Sequence, residues 1–167
     1  MSAETWVPAY VALGSNLDDP AAQVQAAFQA LEGLPSSRLV TRSRLYRTKP
    51  LGPQDQPDFV NAAAGLLTRL EPRGLLQALK QIEVARGRER PIVRWGPRRI
   101  DLDLLLFGDL SLSETDIVIP HAGLTRRNFV LYPLRDIAPD LLVPGHGRVG
   151  DLAALVGADG LELLEPL

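Results

Sequence analysis

Two aspartates separated by one residue, Asp101 and Asp103, follow an arginine-rich turn in the run Arg94-Trp95-Gly96-Pro97-Arg98-Arg99-Ile100-Asp101-Leu102-Asp103-Leu104-Leu105. In an extended strand alternate side chains share a face, so both carboxylates point one way while Ile100, Leu102, Leu104 and Leu106 are expected to point the other. Two neighbouring carboxylates repel, and setting them beside apolar residues is costly unless a cation compensates. Hard divalent cations prefer oxygen ligands, and Mg²⁺ commonly takes one or two carboxylates together with phosphate oxygens. Six arginines, Arg86, Arg88, Arg90, Arg94, Arg98 and Arg99, crowd the adjoining stretch and suit phosphate. The segment reads as a site for a magnesium–polyphosphate complex.

The elements that must position these residues belong to a chain of 167 residues, enough for one domain (1–167) with a real core. Eighteen basic against twenty acidic residues give a formal charge of −2, which argues against a general nucleic-acid or membrane-surface role. Cysteine is absent, so disulfides, thiolate metal sites and cysteine nucleophiles are excluded. No apolar run approaches the ~20 residues of a membrane span, and the first residues lack the pattern of a secretory signal. A cytoplasmic monomer is expected, with small molecules as partners and neither nucleic acid nor membrane.

Residues 7–13 form a short apolar run ending in Gly14-Ser15-Asn16, a strand and tight turn. Asp18 and Asp19 offer helix caps before Pro20, and Val24, Ala27, Phe28 and Leu31 recur at helical spacing. Residues 39–46 and 59–67 read as strands, separated by a proline-rich connection. Pro72 opens a second helix, predicted to end at Gly87, and 101–107 is a further strand. Gly108-Asp109 suggests a hairpin with 110–112 and 117–119 as flanking strands. A third helical segment is expected from Pro120 to about Leu134, broken at Pro133, and a last one over 151–156. The order strand-helix-strand-strand-helix-strand is the split βαβ pattern of a ferredoxin-like α+β sandwich, an antiparallel sheet with helices packed on it.

Several separated blocks point the same way. Tyr10-Val11-Ala12-Leu13-Gly14-Ser15-Asn16-Leu17, Tyr46-Arg47-Thr48 with Pro50 and Gly52, Asp58-Phe59-Val60-Asn61-Ala62, the Arg94 to Leu105 run, and Pro120-His121 with Arg127-Asn128-Phe129-Val130-Leu131 together resemble 6-hydroxymethyl-7,8-dihydropterin pyrophosphokinase. The resemblance implies an ATP-dependent diphosphokinase of folate biosynthesis. It would move pyrophosphate from ATP to the hydroxymethyl group of the reduced pterin and release AMP. It implies that Asp101 and Asp103 hold two Mg²⁺ ions and that Arg88 and Arg98 act with them in catalysis. It places Glu83, Arg90, Trp95, Arg98, Leu104, His121 and Arg127 around ATP. It assigns the pterin to Thr48, Lys49, Leu51, Phe59, Asn61 and Phe129, with the two phenylalanines sandwiching the ring and Thr48, Lys49 and Leu51 contributing mainly backbone bonds. The amide of Asn61 offers an acceptor and two donors suited to the edge of such a heterocycle. The chain departs from the resembled pattern at Lys49, Lys80, Asp116 and Ala122.

Three other readings use the same residues, one of them a nucleotide-sugar transferase with Asp-x-Asp on its metal, which wants a larger nucleotide-binding α/β domain than this chain provides. A ferredoxin-like RNA-binding module would use the arginines on phosphates and sheet aromatics for stacking, but aromatics are 5% of the chain and paired aspartates repel RNA. A non-catalytic relative of the kinase would keep the fold and lose the metal chemistry.

Overall fold

The computed structural model describes residues 2–49, 57–86 and 100–165. Leu51, Arg88, Arg90, Trp95 and Arg98, all expected in the site, lie outside the described residues. In chain order the elements are β1 (Ser2–Ser15), α1 (Pro20–Glu32), β2 (Ser37–Arg42), β3 (Leu45–Thr48), β4 (Phe59–Leu70), α2 (Pro72–Ala85) and β5 (Asp101–Phe107). A small hairpin, β6 (Leu112–Glu114) and β7 (Ile117–Ile119), follows. Next come a 3-10 turn at Leu124–Arg126, α3 (Asn128–Ile137), the hairpin β8 (Leu142–Val143) and β9 (Gly147–Arg148), α4 (Val149–Val156) and β10 (Leu161–Glu165).

The main sheet has six strands in the order β10-β3-β4-β1-β5, with β2 also laid along β4. Every ladder is antiparallel. This is the ferredoxin-like arrangement, and helices cover both of its faces. On one face, Val24, Ala27, Phe28 and Leu31 of α1 and Leu75 and Leu79 of α2 pack on Ala9, Val11 and Leu13 of β1 and Val60, Ala62 and Ala64 of β4. The spacings that predict helices, i, i+3, i+4, i+7 in α1, are the buried positions. Phe28 and Leu31 are fully buried, and each such side chain contributes about 1.5–3 kcal/mol of burial. On the other face Val130, Leu131 and Leu134 of α3 and Val149 and Ala153 of α4 close over Tyr10 and Ala12 of β1.

Four differences from the sequence reading have local causes. The expected strand over 39–46 is two strands, because Ser43 leaves the ladder: its N–H donates to Ala63 O at 2.9 Å and its hydroxyl accepts the Ala63 N–H at 2.8 Å. Leu106 does not share the face of Leu102 and Leu104. The β1–β5 register slips between Tyr10 and Val11, a bulge that sends both Leu105 and Leu106 to the α3 layer. The turn at Gly108 runs on through Leu110, whose N–H donates to Phe107 O, so β6 starts at Leu112. The segment expected as helix from Pro120 begins as a loop and a 3-10 turn, and α3 then runs through Pro133 instead of ending there. The pairings of β8, β9 and β10 join short stretches that no local pattern announces.

Candidate active site

The site is built at the end of β1, beyond Tyr10 and Ala12, the β1 residues that pack against the α3 layer. Register puts Asn61 of β4, Gly14 of β1 and Asp101 of β5 in one row across three strands. The next row on the same face is Ala63, Ala12 and Asp103. Adjacent strands lie about 4.8 Å apart, so roughly 10 Å separates the Asn61 backbone from that of Asp101. Between them Gly14 leaves an open floor. A Cβ on Gly14 would stand 3.2 Å from Asn61 Oδ1 and 4.0 Å from the Phe59 ring, so both side chains border the space above that glycine.

Asn61 is buried at 5% exposure in the middle of a strand, a poor place for an amide unless it is held. Its Nδ2 donates to Thr48 Oγ1 at 2.9 Å. Thr48, expected to contribute mainly backbone bonds to the pterin, also anchors Asn61 through its hydroxyl, and this fixes which way the amide faces. Tyr46 stands directly across from Asn61 on β3 and Thr48 directly across from Phe59. Lys49 is exposed at the rim. Asn16, which the sequence reading did not single out, is fully buried and donates from Nδ2 to Pro57 O at 3.0 Å, tying the turn after β1 to the start of β4. The sequence shows it only as an amide following Gly14-Ser15 in the expected turn.

On the other side, Asp101 is half-buried and Asp103 exposed, and both lie on the same face of the edge strand β5. Their common direction, expected from alternation, is preserved because the bulge falls beyond them. Glu83 of α2, 6% exposed, accepts the Leu102 N–H at 2.8 Å and so fixes the strand between the two aspartates. A buried carboxylate facing a strand edge from a helix is a costly choice, which the charge-assisted bond offsets.

Beyond Asp103 a groove of about 400 Å³ runs along the open edge of β5. Leu76, Lys80 and Glu83 of α2 form one wall; residues 115–118 of the β6–β7 hairpin, with His121 and Ala122, form the other. Leu102 and Leu104 supply an apolar floor. Lys80, Asp116 and Ala122, three of the four departures from the resembled pattern, line this groove, and the fourth, Lys49, does not. The hairpin wall is latched to α2 by Arg73, which donates to Asp116 Oδ2 at 2.9 Å and Oδ1 at 3.0 Å and to Glu114 at 2.9 Å. These hydrogen bonds hold the Asp116 carboxyl below its ordinary pKa.

His121 N–H donates to Leu105 O, and His121 Nδ1 accepts the Gly123 N–H at 3.1 Å. A neutral ring with Nδ1 as acceptor carries its proton on Nε2, leaving that donor for a ligand. Gly123 also makes room for Arg127: a Cβ there would be 2.6 Å from its guanidinium carbon. The guanidinium sits 5.9 Å from the Phe129 ring centre. Phe129 is half-buried at the start of α3, packed against the second core.

The donor set fits magnesium. Asp101 and Asp103 are hard oxygen ligands on one face, and among the described residues no third His, Cys, Asp or Glu joins them in a cluster. Mg²⁺ commonly takes one or two carboxylates and fills its other positions with phosphate and water oxygens.

The antiparallel sheet, with helices packed on both faces, makes this a ferredoxin-like α+β protein. The chain belongs to the 7,8-dihydro-6-hydroxymethylpterin-pyrophosphokinase (HPPK) family, which it matches over residues 10–139. It is 52% identical over 155 residues to the 2-amino-4-hydroxy-6-hydroxymethyldihydropteridine pyrophosphokinase of Pseudomonas aeruginosa, covering 93% of this chain and 95% of that protein. It is 47% identical over 146 residues to the protein of the same name from Haemophilus influenzae, covering 87% and 91%. A crystal structure of HPPK-DHPS from Plasmodium falciparum superposes with a TM-score of 0.71 at 15% identity, covering 91% of this chain and 44% of that longer one. This last likeness is one of fold.

Proposed function

We infer that this chain is an ATP-dependent pyrophosphokinase, a single domain that transfers pyrophosphate from ATP to 6-hydroxymethyl-7,8-dihydropterin and releases AMP. The observation that carries the reading is the row Asn61–Gly14–Asp101, with the groove beyond Asp103. An amide and an aromatic ring stand on one side, a carboxylate pair in the middle and a nucleotide-sized groove on the other. A flat heterocycle lying over Gly14, its amide-like edge on Asn61 and its face on Phe59, directs a hydroxymethyl arm toward Asp101. ATP lying along β5, its base over Leu104 and between Glu83 and His121, brings its phosphates to the same carboxylates. Phe129 closes the pterin from the opposite side, and Arg127, held beside it, reaches phosphate. Arg88 and Arg98 are assigned to the transferring phosphates, and Arg90 and Trp95 to ATP.

Such transfer is mostly positioning and electrostatics. Asp101 and Asp103 would hold two Mg²⁺ ions, which supply charge neutralisation to the phosphate oxygens and lower the cost of ionising the attacking hydroxyl. The chain's own residues set the approach: Asn61, tethered by Thr48, orients the acceptor, and Glu83 fixes the strand that carries the carboxylates. An RNA-binding role gains nothing here, because the carboxylate pair sits on the face that would have to meet phosphate. Among the described residues no helix is long and apolar enough to cross a membrane. We place the chain in the cytoplasm as a monomer acting on small molecules, where its ATP is supplied.

The test is nucleotide product analysis with ATP and Mg²⁺, with and without the pterin. AMP formed only when the pterin is present supports the reading. ADP as product, or nucleotide turnover that ignores the pterin, refutes it.

A further inference from the structure

Helix α3 carries Phe129 near its start and Asp136 near its end. A carboxylate in the last helical turn is opposed by the helix dipole. Asp136 is nevertheless nearly buried there, its side chain 10% exposed, and the surrounding donors account for it. Arg44 gives it three: the backbone N–H at 3.2 Å, Nε at 3.2 Å and Nη2 at 2.9 Å. The Tyr46 hydroxyl, 2.8 Å from both oxygens, gives a fourth. A residue placed against its local preference and then fully satisfied is a common mark of a position kept for geometry. The same helix is pinned at its start, where Asn128 Nδ2 donates to Gly157 O at 3.0 Å and Asp159 O at 2.9 Å.

The network joins two parts of the site. Tyr46 is the direct cross-strand partner of Asn61. Asp136 lies seven residues after Phe129, about two helical turns, so the two share one side of α3. Arg44 enters from the break between β2 and β3. A single carboxylate therefore ties the helix that carries Phe129 to the strand that abuts Asn61. We propose that Asp136, through Arg44 and Tyr46, is a positioning residue that sets the distance between Phe129 and Asn61 and so governs pterin binding. The inference rests on the assignment of Asn61 and Phe129 to the pterin.

Steady-state kinetics with both substrates varied tests it in four variants: Asp136→Asn, Tyr46→Phe, Phe129→Ala and the double variant of Asp136→Asn with Phe129→Ala. Weakening one charge-assisted network of this kind predicts a rise in the KM for the pterin of about three- to tenfold in Asp136→Asn. The KM for ATP stays within about twofold, since the groove lies on the far side of β5 from α3's network. Tyr46→Phe removes one donor and keeps the ring; it gives a smaller rise in the same parameter and keeps the proposal testable where Asp136→Asn folds poorly. In the Phe129→Ala background, Asp136→Asn adds little, because the residue it positions is gone. An equal rise in both KM values means a merely structural role and overturns the proposal. An unchanged pterin KM in both Asp136→Asn and Tyr46→Phe, with a raised one in Phe129→Ala, overturns it while leaving the pterin site standing. An unchanged pterin KM in Phe129→Ala removes that site assignment and the inference with it.

Discussion

Replacing Gly14 by alanine puts a methyl group into the open floor between the two halves of the site. Its Cβ would lie 3.2 Å from Asn61 Oδ1, close enough that the amide must give by a few tenths of an ångström. Asn61 is not free to do so: its Nδ2 is held to Thr48 Oγ1 at 2.9 Å. Moving the amide weakens a buried hydrogen bond, a cost of about 1 kcal/mol. Against this, alanine in a strand interior is favoured over glycine by about 0.5–1 kcal/mol. The two nearly cancel, so the melting temperature of Gly14→Ala should stay within about 3 °C of the parent. Pterin binding has no such compensation. A displaced Asn61 and a filled floor should raise the KM for the pterin about tenfold, equivalent to roughly 1.4 kcal/mol, with little change for ATP. Thermal melting and two-substrate kinetics on the same preparation decide the matter. A pterin KM equal to the parent's, or a change confined to ATP, refutes the placement of the pterin over Gly14.

Three further outcomes follow from other parts of the structure. Asp101→Asn and Asp103→Asn should each lower AMP formation at least about 100-fold at saturating substrate while circular dichroism stays unchanged, and near-normal turnover in either would sink the paired-metal role. Gly123→Ala keeps an allowed backbone (φ −91°, ψ −4°) but puts a methyl 2.6 Å from the Arg127 guanidinium; isothermal titration should show ATP affinity falling several-fold, and wild-type affinity would mean Arg127 does not reach phosphate. Burial, and then the bond to Asp136, push the Tyr46 hydroxyl up to about 12 from its usual value near 10. A raised folded-state pKa means stability that is complete below pH 10 and lost as the pH climbs toward 12, so base titration followed by fluorescence should show a steeper loss in the parent than in Tyr46→Phe over that window.

The common direction of Asp101 and Asp103 was legible because strand alternation is a strong local rule and nothing disturbs it before Leu104. One residue further on the rule fails, since a bulge depends on the partner strand and leaves no trace in the sequence of β5 itself. The helical stripe Val24, Ala27, Phe28 and Leu31 was equally plain. The end of β2 was not, because Ser43 breaks the ladder through its hydroxyl and a backbone group of Ala63, 20 residues away. The C-terminal strand pairs with β3, more than 100 residues earlier, and five residues of mixed character cannot advertise that. In the site, Asn61 was suspicious as an amide inside a strand, whereas the use of the Thr48 side chain depends on a cross-strand contact. Asp136 gave no signal: a carboxylate near a helix end reads as solvated until Arg44 and Tyr46 are seen around it.

Among the described residues β5 ends the main sheet, with no strand of that sheet beyond it. An unpaired strand edge is a template on which another chain can add, and proteins blunt such edges to stay dispersed. Here the outward Leu102 N–H is taken by Glu83 and the Leu105 carbonyl by the His121 N–H. Glu83 and His121, which line the groove proposed for the nucleotide, are thus also caps on the sheet's margin. If the groove takes ATP as proposed, a change that loosens it would also uncover the strand border, and loss of catalysis and loss of solubility would arrive together.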